Sequence, residues 1–281
     1  MRTLLVPFFD DAKAEAALAS ACHVARRFSS HVEGLFVLRP PPVFEGEGIA
    51  MAGSYMTQFR EEGRRLADSA KQRFERFIAA QNISVKTLGE AEDAPTAGWR
   101  ELEGLEGPVI SDHARLFDMM VIGREFGHPW FDWQVMCEAG LFESGRPVLV
   151  TPDQPGSALG ENILLAWNGG TETARAISMS MPFLTRAKSV LVLTVEGATV
   201  PGPAGDAVAG HLKRNGIKVN SKTVNLGSRA AGEVIINEAQ NFGADMIVKG
   251  AYTNSRLRQL VFGGATRYLL GKASLPLLLA H

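Results

Sequence analysis

Cysteine is scarce in this chain, and a surplus of either charge is missing. Only Cys22 and Cys137 occur in 281 residues, far apart and both within helical patterns. A disulfide framework is not what such a pair supports, and a reducing compartment suits it. Lys and Arg number 29 against 30 Asp and Glu. That balance supplies no general electrostatic drive toward nucleic acid or an anionic membrane. Long apolar runs are also lacking. LLVPFF is cut off by Asp10 and Asp11, too short for a signal segment, and no run has the length of a membrane span. The expectation is a soluble, cytoplasmic protein.

Familiar catalytic motifs are missing as well. There is no Gly-x-x-x-x-Gly-Lys-Ser/Thr loop, no Gly-x-Gly-x-x-Gly fingerprint and no Gly-x-Ser-x-Gly elbow. Histidines 23, 31, 113, 128, 211 and 281 show no ligand spacing, and the cysteines form no Cys-x-x-Cys, so no metal is implied by protein ligands. Asp10-Asp11 could serve acid–base chemistry, but a helix cap with an acidic first turn is the weightier reading.

What the chain does have is an internal repeat. TLLVPFFDD (3–11) resembles NILLAWNGG (162–170), and VKT (85–87) resembles SKT (221–223). FDMMVIG (117–123) matches ADMIVKG (244–250), and RPVLVTP (146–152) matches LPLLLAH (275–281). Four landmarks in one order point to a duplicated domain, 1–155 and 160–281, joined through the Pro/Gly/Ser-rich PDQPGSALGEN. Near-continuous apolar runs separated by helical patterns predict parallel strands covered on both faces, an α/β fold. The expected strands are 3–9, 31–38, 83–88, 118–123 and 147–151, then 162–167, 188–195, 217–224, 245–249 and 276–280. A helix over 56–80 places Leu66, Ala70, Phe74 and Phe77 on one face. The edge runs 147–151 and 276–280 are apolar and are expected to associate, giving an intramolecular pseudo-dimer. Further homodimerisation stays open.

In open sheets of this kind, ligands sit beyond the carboxyl ends of the strands. There the second half carries KGAYTNSRLRQLVFGGATRYLL (249–270), a strand ending in glycine, a basic turn, and Gly-Gly before a helix. Glycines and a helix N-terminus can cradle phosphate, though they also serve simple turns. Arg256, Arg258 and Arg267 raise the same anion question.

The element order, the ADMIV-x-G strand and this spacing resemble the universal stress protein family in its tandem two-domain form. The resemblance implies two Rossmann-like domains of the adenine-nucleotide alpha-hydrolase kind, each a five-stranded parallel sheet of order 3-2-1-4-5. Nucleotide-binding members carry Gly-x-x-Gly, nine residues, then Gly-Ser or Gly-Thr. Here Gly250-Ala-Tyr-Thr253, nine residues and Gly263-Gly264 keep the frame, with Thr253 for the second glycine and Gly264 for the hydroxyl residue. Asn168 stands where the family tends to have Asp, and the backbone near Val195 would face an adenine. With the flanking Ala166, Trp167 and Ala265, these residues form the implied site for ATP, ADP or AMP. In the first half, Phe9 takes the polar position, Gln134 the glycine position, and Trp130, Phe131 and Trp133 add bulk, as in a copy that no longer binds. The implied role is a non-catalytic stress-response module with an unknown protein partner. Alternatives are a ligand-free interaction or regulatory module, and a slow nucleotide hydrolase.

Overall fold

The protein is described by a computed structural model covering residues 1–42, 49–124, 127–128, 130–154, 156–251 and 264–281. These divide into two compact units, Met1–Val121 with Gly127–Ser144, and Ile122–Phe126 with Gly145–His281. Among the described residues no helix is long and apolar enough to cross a membrane.

The first unit begins with β1 (Thr3–Pro7), α1 (Ala12–Phe28), β2 (His31–Leu38) and α2 (Ile49–Ala80). It continues with β3 (Ser84–Val85), β4 (Thr96–Glu103), α3 (Glu106–Ala114) and β5 (Met119–Gly123). A small hairpin, β6 (Gly127–His128) and β7 (Phe131–Asp132), leads into α4 (Trp133–Glu138). The sheet runs β3-β4-β2-β1-β5. Its third place differs from expectation. Of 83–88 only Ser84–Val85 is strand, and Thr96–Glu103 pairs with β2 along its full length. TAGWRELE carries three charged residues in its last four positions, where its burial falls off, so it lacks the continuous apolar signature of a central strand. The α2 face is also rotated. Ala67, Ala70, Phe74 and Ile78 are buried, while Leu66 and Phe77 flank the stripe. Phe74 packs with Phe8 and Trp99 at centroid distances of 5.6 and 5.4 Å, geometries typical of stabilising aromatic pairs.

The second unit holds β8 (Val148–Thr151), β9 (Asn162–Trp167), α5 (Thr171–Leu184), β10 (Ser189–Glu196) and α6 (Gly205–Arg214). After these come β11 (Val219–Asn225), α7 (Ala231–Phe242), β12 (Met246–Gly250), α8 (Gly264–Lys272) and β13 (Leu277–Ala280). Parallel pairing in the order β11-β10-β9-β12-β13 reproduces 3-2-1-4-5. The two apolar edge runs meet: β8 pairs antiparallel with β13, Leu278 opposite Leu149, and both strands are buried.

One repeated residue has the same task in each unit. Asp245 accepts backbone N–H groups from Gly160 at 2.7 Å and from Glu161 and Asn162 at 3.0 Å, tying β12 to the start of β9. Asp118 accepts likewise from Arg2 and Thr3, tying β5 to β1. Each aspartate occupies strand-entry donors that would otherwise be left unpaired.

Candidate functional site

A cavity of about 280 Å³ opens at the carboxyl ends of the second unit's strands. The end of β9 contributes Ala166, Trp167 and Asn168; β10 and the loop after it supply Val195 and Thr199–Val200. Ala231 and Ile235 of α7, Lys249 of β12, and Gly264, Ala265 and Thr266 of α8 close the other side. A second cleft of about 250 Å³ shares Trp167, Asn168, Thr199 and Val200 and extends toward Asp206 and Thr223.

The loop after β10 is fixed over β9 by backbone contacts. Val200 N–H donates to Asn168 O at 2.8 Å, and the Trp167 indole donates to Pro203 O at 2.8 Å. Gly169 sits at φ +89°, and a Cβ there would lie 2.5 Å from Val200 O. Both the conformation and the approach require glycine. Asn168 Oδ1 accepts from Gly170 N–H at 3.1 Å and from the Thr173 hydroxyl at 2.6 Å, so it organises the first turn of α5.

Of the residues nominated by the sequence, Ala166, Trp167, Asn168, Val195, Gly264 and Ala265 line the one cavity. Gly250 does not. A Cβ on it would meet Thr173 N at 2.3 Å and Glu172 C at 2.5 Å. The close packing of α5 against β12 by itself requires glycine here, and Gly250 is not among the described residues lining the cavity. Thr253 and Gly263, with Arg256 and Arg258, lie outside the described residues.

Lys249 is the residue the sequence reading missed. It is 8% exposed. Its Nζ donates to Gly250 O at 2.6 Å and to Thr266 Oγ1 at 3.0 Å. Among the described residues no carboxylate lies within ion-pair distance of it. Burial pulls the amine down to about 8, partly opposed by the charge of Glu172 on α5. The signal was present in the repeat: ADMIVKG places lysine where FDMMVIG has Ile122.

In the first unit the corresponding strand ends are filled with rings. Phe9 is buried and stacks on Phe131 at 4.7 Å with planes 20° apart. Phe36 meets Phe131 edge-on at 5.4 Å, and Trp133 is buried beside the hairpin. Asp11 caps α1 by accepting from Lys13 N–H at 2.6 Å. Asp10 is bound by Arg73 at 2.8 Å and by the Ser69 hydroxyl, and these hydrogen bonds hold its carboxyl below the usual range. Both aspartates thus have structural work. Burial pushes the thiols of Cys22 and Cys137 up to about 12, away from reactive thiolate.

Residues 161–281 match the sequence profile of the universal stress protein family. A universal stress protein of Synechocystis is 28% identical over 137 residues, which are 47% of this chain and 46% of that protein. The chain thus spans about half the length of the curated relative it matches. Among solved structures, a universal stress protein from Archaeoglobus fulgidus gives a TM-score of 0.65 at 14% identity, covering 99% of this chain and 97% of its own. A Pseudomonas aeruginosa protein of unknown function gives 0.50 at 16% identity, covering 100% and 92%. At these identities the likeness is one of fold.

Proposed function

The chain carries a universal stress protein domain in residues 161–281, and from that premise we propose that it is a stress-response module binding one adenine nucleotide there. The first half, in this reading, is a second copy of the domain with its site filled. The supporting observation is convergence. Asn168, Val195 and Gly264, placed by the family frame, line one cavity together with the flanking Ala166, Trp167 and Ala265. With the adjoining cleft the space suits a base and a sugar phosphate, and apolar walls with a few polar groups are the usual make-up of such sites. In this reading the module acts by binding rather than by turnover.

A ligand-free interaction module is the second reading, favoured by two observations. Asn168 Oδ1 is engaged by α5, and Gly250 serves helix packing. The first unit also exposes Leu105 and Val135 along a groove with Phe59 and Pro108. Acid release of small molecules from the purified protein, followed by mass spectrometry, separates the two. The nucleotide reading expects ATP, ADP or AMP near one per chain when binding is tight enough to survive purification. Protein that carries none and fails to retain added nucleotide on a desalting column would favour the second.

A further inference from the structure

The cavity of the second unit contains a charge that the fold does not require. Lys249 is the only ionisable side chain among the described residues lining it. The charged group acting on it from a packed element is Glu172 of α5. The lining residues from β9, β10, α7 and α8 are uncharged. A buried ammonium with no carboxylate at ion-pair distance among the described residues is costly, and chains keep such groups sparingly. An apolar residue works at the matching place in the first half, where Ile122 is buried.

The geometry specifies what is missing. An ammonium has three N–H donors. Lys249 uses two of them on Gly250 O and Thr266 Oγ1, which leaves one without an acceptor among the described residues. Thr266, 2% exposed, accepts from this ammonium. A hydroxyl that accepts in this way directs its own hydrogen toward a further acceptor. An ammonium and a hydroxyl able to donate, side by side at the cavity wall, offer an anion position, strengthened by the low local dielectric.

We propose that Lys249 is the anion anchor of this cavity, pairing through Nζ with a phosphate oxygen of the ligand while the Thr266 hydroxyl donates to the same group. This rests on the nucleotide reading and adds the phosphate's counter-charge. It also adds a hydroxyl and an ammonium beside Gly264, which stands where the family frame has a hydroxyl residue. A phosphate beside the amine favours its protonated form, so binding draws a proton onto Lys249 above about pH 8. Affinity for a phosphorylated ligand therefore falls as pH rises through that value.

The test is calorimetric titration of the full chain with AMP and with adenosine from pH 7 to 9.5, in buffers of different ionisation heat. The phosphate is fully ionised across this range, because its second proton leaves near 6. AMP is expected to bind about tenfold or more weakly at pH 9.5 than at pH 7, with proton uptake at the upper end. Adenosine binding should be flat with pH, and Lys249→Met should bind AMP with adenosine's flat profile. AMP binding in the wild type that ignores pH and survives Lys249→Met would overturn the anchor and leave the nucleotide reading standing. If neither AMP nor adenosine binds at any pH, both fall. A readout without a variant is acetic anhydride labelling of Lys249, followed by mass spectrometry. AMP should slow acylation of Lys249 and adenosine should not; equal rates with and without AMP would overturn the proposal.

Discussion

Replacing Lys249 by methionine should make the protein's stability respond differently to pH, and the sign of the effect should reverse. In the folded chain burial lowers this amine from 10.5 to about 8. That gap corresponds to about 3 kcal/mol between its charged and neutral forms. Below pH 8 the amine is protonated in folded and unfolded chains alike, and the folded state bears the whole cost of burying the charge. Between pH 8 and 10.5 the folded chain loses the proton first. The unfolded chain then binds more protons, so stability rises with pH across this window. Methionine removes the charge and forfeits the hydrogen bonds to Gly250 O and Thr266 Oγ1, each worth about 1 kcal/mol. At pH 7 the variant should therefore be more stable by about 1 kcal/mol, and near pH 10.5 less stable by about 2 kcal/mol. Urea unfolding of both proteins at several pH values, read by hydrogen exchange in the β12 peptide, isolates the second unit. Other groups titrate equally in both proteins and cancel in the difference. Parallel stability curves from pH 7 to 10.5 would refute the assignment of a buried charge whose amine is shifted down by burial.

Two glycines of the second unit should behave oppositely. Gly250→Ala drives a methyl into the backbone of Thr173 and should cost about 2–3 kcal/mol in chemical denaturation. Gly264→Ala meets nothing within 4 Å and should leave stability within about 0.5 kcal/mol; equal losses would contradict the packing role of Gly250. Leu278→Lys puts a charge on a fully buried strand opposite Leu149 and should cost roughly 2–4 kcal/mol, with an unchanged melting curve counting against that pairing. Phe9→Ala removes a ring stacked on Phe131 and should cost about 3–5 kcal/mol without creating a nucleotide site in the first unit. A second equivalent of bound AMP in this variant would show that the ring had been masking a competent site.

The second unit was legible from its strands because apolar runs such as NILLAW and MIVKG are covered on both faces. Their register follows from the same pattern. Thr96–Glu103 was not, since a strand lying away from the sheet centre tolerates Arg100, Glu101 and Glu103 and so reads as loop. The repeated aspartates Asp118 and Asp245 were visible as a pattern, but their role depends on N–H groups supplied by distant strand starts. Gly250 shows the limit of motif reading at a site. A glycine that admits a phosphate and one that admits a helix look alike in sequence, and here the neighbour is Thr173 of α5. Lys249 was hidden for the converse reason. A lysine beside a strand end ordinarily reaches solvent, and only the packing of α8 over it reveals that this one is enclosed.

In the proposed reading the second unit, and it alone, holds an adenine nucleotide. Calorimetric titration of the full chain with ATP, ADP and AMP at pH 7 measures this directly. A saturable isotherm with one site per chain for at least one of the three is the expected result. An absence of binding heat for all three, confirmed by equilibrium dialysis, would contradict the claim, and two sites per chain would contradict the filled first half.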